Sequence, residues 1–236
     1  IIKIGFMQTS YGVLNNFIFT LIQTPLKTLG TSYAGNMIFE VIAHVLWTVG
    51  IHGHNIINSV RGPLVLATSL ENLDLFEAGL QLKNIITQEF VTYVYIGGAG
   101  STLPLACLMA FAAKSKQVKE VGKLAIVPGI FNINEPIIFG LPIIMNPFMM
   151  IPFLIVPLIL TTIAYFGMAW GIFPLMTGVQ IPWTMPKILV GYLGTNGSIM
   201  GALLVVINFA VAGVLYYPFF KLWDNQKYKE EQSIAE

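Results

Sequence analysis

Residues 197–220 read GSIMGALLVVINFAVAGVLYYPFF, 24 positions without one charged side chain. In water such a helix would need burial on every face. In a bilayer it needs only length, and about 20 mostly apolar residues suffice to cross. Residues 33–51 (YAGNMIFEVIAHVLWTVGI) have the same character. So do residues 147–166 (PFMMIPFLIVPLILTTIAYF), whose internal prolines should kink the helix. Only 10% of the chain is charged, against roughly 25% in soluble domains. The expected class is therefore an all-α polytopic membrane protein. A formal net charge of +1, without a concentrated basic patch, gives no footing for nucleic acid. The single cysteine, Cys107, rules out an internal disulfide and a Cys-rich metal centre. Within LPLACLMAF it reads as a small buried hydrophobe. The chain opens on IIKIGF, with neither a basic leader nor a cleavage site, and is expected to be a fragment or the later part of a longer chain.

Two further apolar stretches are badly broken. Residues 124–146 (LAIVPGIFNINEPIIFGLPIIMN) and 176–195 (MTGVQIPWTMPKILVGYLGT) carry too many Gly, Pro and polar residues for a lipid-facing helix. Irregular backbone at membrane depth survives only where protein or a watery cavity satisfies it. Both are expected to form re-entrant hairpins lining a site, since paired interrupted segments point to a transporter's binding site. Residues 89–113 have the length of a span but are interrupted by GGAGSTLP at 97–104. That motif lacks the phosphate-loop pattern and reads as a helix break or a place of tight packing. Residues 10–24 read as the end of a helix begun upstream. The loop KSKQVKEVGK (114–123) holds four lysines against one glutamate, and the tail adds Lys221, Lys227 and Lys229. Positive-inside logic puts both in the cytoplasm. Two re-entrant segments satisfy that parity, and two full crossings satisfy it equally.

Glu135 stands in the middle of the first broken stretch. A carboxylate at membrane depth is costly unless paired or solvated, so it marks a functional site or a residue pinning the hairpin by bonding nearby N–H groups. Pro136 biases Glu135 toward extended backbone, with Asn132 and Asn134 on one side, Glu135 on the other, and tip N–H groups free for a ligand. WTVGIHGHN (47–55) ends the span that also holds Glu40 and His44; these two share a helix face, and His44 is expected to be a core histidine bonded to Glu40. His52 sits beside glycines that let a ligand approach, and a ligand role and a turn role stand level. His52, His54 and Glu40 lack any regular metal-ligand spacing, so no metal is expected. In QIPWTMPK (180–187), Trp183 is held between prolines. It is either an interfacial anchor or a platform for the C–H face of a sugar. The NGS sequon at Asn196 is a frequent chance match.

GIFNINEPIIFGLPIIMNP (129–147), preceded by WTVGIHG (47–53), resembles the membrane permease component, enzyme IIC, of the bacterial sugar phosphotransferase system. The similarity is strongest to the lactose/cellobiose/diacetylchitobiose branch and runs from about residue 33 to 220, the C-terminal half of such proteins. It implies a homodimer formed mainly through the other half. It also implies a substrate domain with two re-entrant hairpins that moves like an elevator, and a disaccharide phosphorylated by a separate phospho-IIB charged through IIA. The expected organisation is residues 1–32 as a connection to the interface domain, 33–220 as the substrate and transport domain, and 221–236 as a cytoplasmic tail. By the same resemblance Glu135 contacts and helps deprotonate the reacting hydroxyl, His52 contacts the sugar, Trp183 stacks on a ring and Trp47 forms a wall. Asn134 and Asn55 join them by position alone. Sugar and lipid are the expected partners besides IIB, no cofactor is expected, and the place is the bacterial plasma membrane. The hairpins by themselves also fit an ion- or proton-coupled secondary transporter using Glu135 or His52, or a truncated fragment that does not transport.

Overall fold

The structure is a computed structural model that describes residues 30–141, 143–144 and 146–235. Residues 10–24, expected to end an upstream helix, and most of the 1–32 connection lie outside the described residues. So does Pro142, the last residue of NINEPIIFGLP. The regular elements among the described residues are all helices, without strands.

Helix α1 (Tyr33–Thr48) starts on Ser32, whose hydroxyl accepts from the Gly35 N–H at 3.1 Å. A turn through Gly50 leads into α2 (Gly53–Glu77). The two helices touch backbone to backbone: a Cβ on Gly53 would lie 1.9 Å from the Ala43 carbonyl oxygen. Helix α2 escapes a hydropathy reading because its polar residues are turned into protein. Arg61, Ser69 and Asn72 are all buried. Asn72 serves irregular chain on two sides. Its Nδ2 donates to the carbonyls of Asn84 (2.8 Å) and Met176 (2.9 Å), and its Oδ1 accepts from the Asn84 N–H at 3.0 Å.

The stretch 89–113 is interrupted as expected. Helix α3 (Gln88–Tyr93) and α4 (Leu103–Ala112) flank a turn with a 3₁₀ step at Ala99–Ser101. Gly97, Gly98 and Gly100 have φ of +85°, +91° and +74°, backbone that favours glycine. Space is also absent: a Cβ on Gly98 would stand 2.7 Å from the Asn132 carbonyl oxygen.

The lysine-rich stretch 114–123 is not a loop. From Lys116 on it is the first half of α5 (Lys116–Ile130), capped by the Ser115 hydroxyl. Local propensity favours this, since Lys, Gln and Glu are good helix formers. The helix runs on through Pro128, so the break in 124–146 begins only at Phe131. A turn at 131–134 then gives α6 (Glu135–Gly140). Asn132 takes φ +66° and Glu135 is the first helical residue, not an extended one. Pro136 falls in the first turn, where its missing N–H has no helical partner to lose. The N–H groups of Asn132 and Ile133 are bonded to the Gly129 and Pro128 carbonyls, so they are not free for a ligand.

Helix α7 (Pro147–Ala169) is continuous through Pro152 and Pro157. Irregular chain then leads to α8 (Lys187–Gly194), where the Thr177 N–H returns to the Gly194 carbonyl at 2.8 Å. The last helix, α9 (Ile199–Ala235), has 37 residues and runs through nearly all of the charged tail. At ~1.5 Å per residue it is far longer than a ~30 Å hydrocarbon layer. Asp224 and Glu231 on this extension accept from the N–H groups of Lys114, Ser115, Lys116 and Gln117 at 2.9–3.1 Å. Carboxylates thus cap the start of α5, and the two lysine-bearing segments share one end of the molecule.

Two apolar clusters hold the elements. One includes Leu105, Met109, Ile137, Phe153 and Tyr216, around α4, α6, α7 and α9. The other includes Phe90, Tyr93, Met176, Val190 and Leu204, around α3, α8 and α9. Helices α7 and α9 have the length and apolarity of membrane spans.

Candidate sugar site

The three broken segments meet at their turns. Asn132 Nδ2 donates to the carbonyls of Trp183 and Met185, each at 2.9 Å. Asn134 Nδ2 donates to the Ala99 carbonyl at 2.6 Å. Gln180 Nε2 donates to Glu89 Oε1 at 2.8 Å, tying the third segment to α3. Each bond satisfies a backbone or side-chain group that irregular chain leaves open.

Above this junction lies a cavity of about 570 Å³, in the range of roughly 300–1,000 Å³ usual for small-molecule sites. Trp47, His52, Asn55, Asn134, Glu135 and Trp183 all line it, although they come from segments far apart in sequence. Asn132 and Asn134 are buried and Glu135 is exposed, yet all three line the cavity, so the expected division onto opposite sides is not seen. The Glu135 carboxylate makes no hydrogen bond to described residues. Trp183 is 59% exposed, with its ring free to receive a flat apolar face.

His52 caps α2: its Nδ1 accepts from the Asn55 N–H at 3.3 Å. In the neutral ring Nε2 then carries the hydrogen and is a donor available to a ligand oxygen. Trp47 lies over the His52 ring, with centroids 4.3 Å apart, and donates from Nε1 to His54 Nδ1 at 2.9 Å.

Behind this wall sits a buried polar network. Glu40 and Arg61, both 0% exposed, pair at 2.5 Å. Tyr95 donates to the Glu40 carboxylate at 2.6 Å, and Arg61 reaches Asn36 and Asn58 at 3.3 and 3.2 Å. His44 is a core histidine, but its Nδ1 bonds the Glu40 backbone carbonyl at 2.8 Å, and the carboxylate stands 3.8 Å away. Its Nε2 accepts from the Gly100 N–H at 3.0 Å. Glu40, His44 and His54 bring ligand-type atoms within 4.8 Å of one another. A guanidinium, a phenol and a peptide N–H already occupy the Glu40 and His44 atoms, so the group is a hydrogen-bonded network and not a vacant cage.

Arg61, Tyr95 and Lys187 escaped the sequence reading. Arg61 is the only arginine in the chain, a signal in plain view. Tyr95 and Lys187 carry no comparable mark.

The family described as "Phosphotransferase system, EIIC" matches residues 1–157. The chain is 47% identical over 227 residues to the lichenan permease IIC component of Bacillus subtilis (strain 168), covering 96% of this chain and 50% of that one. It is 47% identical over 229 residues to the cellobiose-specific EIIC component of Geobacillus stearothermophilus, covering 96% and 51%. A crystal structure of the transporter ChbC, the IIC component of an N,N′-diacetylchitobiose-specific phosphotransferase system, superposes with a TM-score of 0.94 at 44% identity. That match takes in 98% of this chain and 54% of the other. The chain spans about half the length of the curated relatives it matches. With nearly its whole length aligned at this identity, and the same all-helical fold around the cavity, the chain belongs to the enzyme IIC family of the phosphotransferase system, in its lactose/cellobiose branch.

Proposed function

We propose that this chain is the sugar-binding and transport part of a bacterial plasma-membrane permease, and that it carries a disaccharide such as cellobiose, diacetylchitobiose or lactose inward for phosphorylation. The observation that carries the reading is the convergence of Glu135, His52 and Trp183 on one cavity at the junction of three broken segments. Residues 124–146 and 176–195 enter the membrane and return as re-entrant hairpins, and residues 33–220 form the substrate domain. The shared end of α5 and the α9 extension is the cytoplasmic one, where seven lysines at 114–123 and 221–229 satisfy the positive-inside rule. There a phosphorylated IIB, recharged by IIA, meets the loaded site. A homodimer forms through sequence supplied by the other half.

Within the cavity Trp183 stacks on a sugar ring, Trp47 forms a wall, and His52 Nε2–H bonds a sugar oxygen. Asn55 adds hydrogen bonds, and Asn134, whose Nδ2 is engaged, offers its amide oxygen. Glu135, without a hydrogen-bond partner among the described residues, takes the proton of the reacting hydroxyl. Calorimetry with cellobiose, lactose and diacetylchitobiose tests the site directly. At least one should bind, and Trp183→Ala should weaken that binding by about tenfold, the ~1.4 kcal/mol of one stacked ring. Unchanged affinity in the variant would remove Trp183 from the site.

A further inference from the structure

Lys187 opens α8 and is only 5% exposed, yet it lines the same cavity as Glu135. Among the described residues its ammonium has one partner, the Trp183 carbonyl at 3.2 Å. Among the described residues the ion pairs join Glu40 with Arg61, Glu120 with Lys123, and Glu230 with Lys227. Lys187 has none. An ammonium offers three donors and a charge whose removal from water is costly unless acceptors or an anion meet it.

The other buried cation shows what a structural charge receives. Arg61 is met by Glu40, Asn36, Asn58 and Tyr95. Nor is Lys187 needed to satisfy the Trp183 carbonyl, which already accepts from Asn132 at 2.9 Å. Two of its three donors have no partner among the described residues, and the residue lines the same cavity as the candidate sugar site.

We propose that Lys187 recognises phosphate: it holds a non-bridging oxygen of the phosphoryl group as that group reaches the sugar, and it binds the phosphomonoester product. This rests on the reading of the cavity as the phosphorylation site. In the transfer the S–P bond of the IIB phosphocysteine breaks and an O–P bond to the sugar hydroxyl forms. The hydroxyl proton goes to Glu135. Lys187 gives up no proton; its charge meets negative charge spread over the equatorial oxygens. Before transfer the neutral sugar makes little use of that charge, so Lys187 discriminates product and transition state from substrate.

The test measures affinity for one disaccharide and for its 6-phosphate by calorimetry on the full-length protein, without IIB. In Lys187→Met the ratio of the two affinities should fall by about tenfold or more against the phosphate, as expected for loss of one charge-assisted contact. Lys187→Gln keeps a donor for the Trp183 carbonyl and removes the charge, so its ratio must fall likewise, and Lys187→Arg should preserve it. With phospho-IIB, transfer in Lys187→Met should drop by about 10²–10³-fold. An unchanged ratio in Lys187→Gln overturns the proposal and leaves the sugar site intact. Equal loss of both ligands assigns Lys187 a structural role and overturns it as well. A wild-type protein that binds no disaccharide overturns the reading of the cavity itself.

Discussion

Glu135→Gln is expected to slow phosphoryl transfer by about 10²–10⁴-fold, the usual contribution of a positioned general base, while sugar binding falls far less. Glutamine keeps the size of the side chain and a hydrogen-bonding oxygen but cannot accept the hydroxyl proton. Geometry gives the reason for the split. Glu135 is the first residue of α6, after a turn whose buried Asn132 and Asn134 are fastened to neighbouring segments. The substitution touches none of those bonds, so the cavity should keep its shape. Transfer rates from phospho-IIB, compared with disaccharide affinity in the same preparation, check the expectation. Equal rates in variant and wild type would remove Glu135 from the base role. Equal losses of binding and transfer would make it a binding residue only.

Arg61→Met should have the largest effect on stability. The substitution leaves Glu40 fully buried with Tyr95 as its remaining strong donor. Breaking one side of a buried pair costs about 3–5 kcal/mol, chiefly through the charge left uncompensated. For a chain of this size that is a shift on the order of 10 °C in thermal unfolding. The double change Glu40→Gln with Arg61→Met removes the stranded charge and should recover a good part of the loss. Additive losses would mean the pair is not coupled as its geometry indicates. Sugar affinity should fall in Arg61→Met too, because Asn58 and Tyr95 bond Arg61 on one side and line the cavity on the other.

Much of this could be read from the chain, and the limits are physical. The helices at 33–51, 147–166 and 197–220 were legible because long apolar runs announce themselves by hydropathy, and two of the three, α7 and α9, have the length of a span. Helices α1, α7 and α9 lie where those runs are. The same criterion is blind to α2, whose Arg61, Ser69 and Asn72 look like surface residues but face protein. It is equally blind to the 221–235 extension, which stays helical past the end of the apolar run and carries local pairs such as Lys227 with Glu230 at 2.6 Å. The lysine run at 114–123 read as a loop because charge was weighed before propensity. Glu135 was legible as a carboxylate amid helix breakers, yet its backbone was not. The Pro136 rule for extended chain yields when proline falls in a helix's first turn. The Glu40–Arg61 pair spans 21 residues and exists because Gly53 lets two helices touch, a tertiary fact that no local pattern encodes.

In the proposed function, transport is coupled to phosphorylation at the Glu135 cavity. This coupling is tested most directly in proteoliposomes holding the full-length protein, with radiolabelled disaccharide outside and phospho-IIB inside. The account predicts that sugar accumulates only as its phosphate, only with phospho-IIB present, and without sensitivity to uncouplers. Uncoupler-sensitive accumulation of free sugar in the absence of IIB would contradict it and identify an ion-coupled transporter instead.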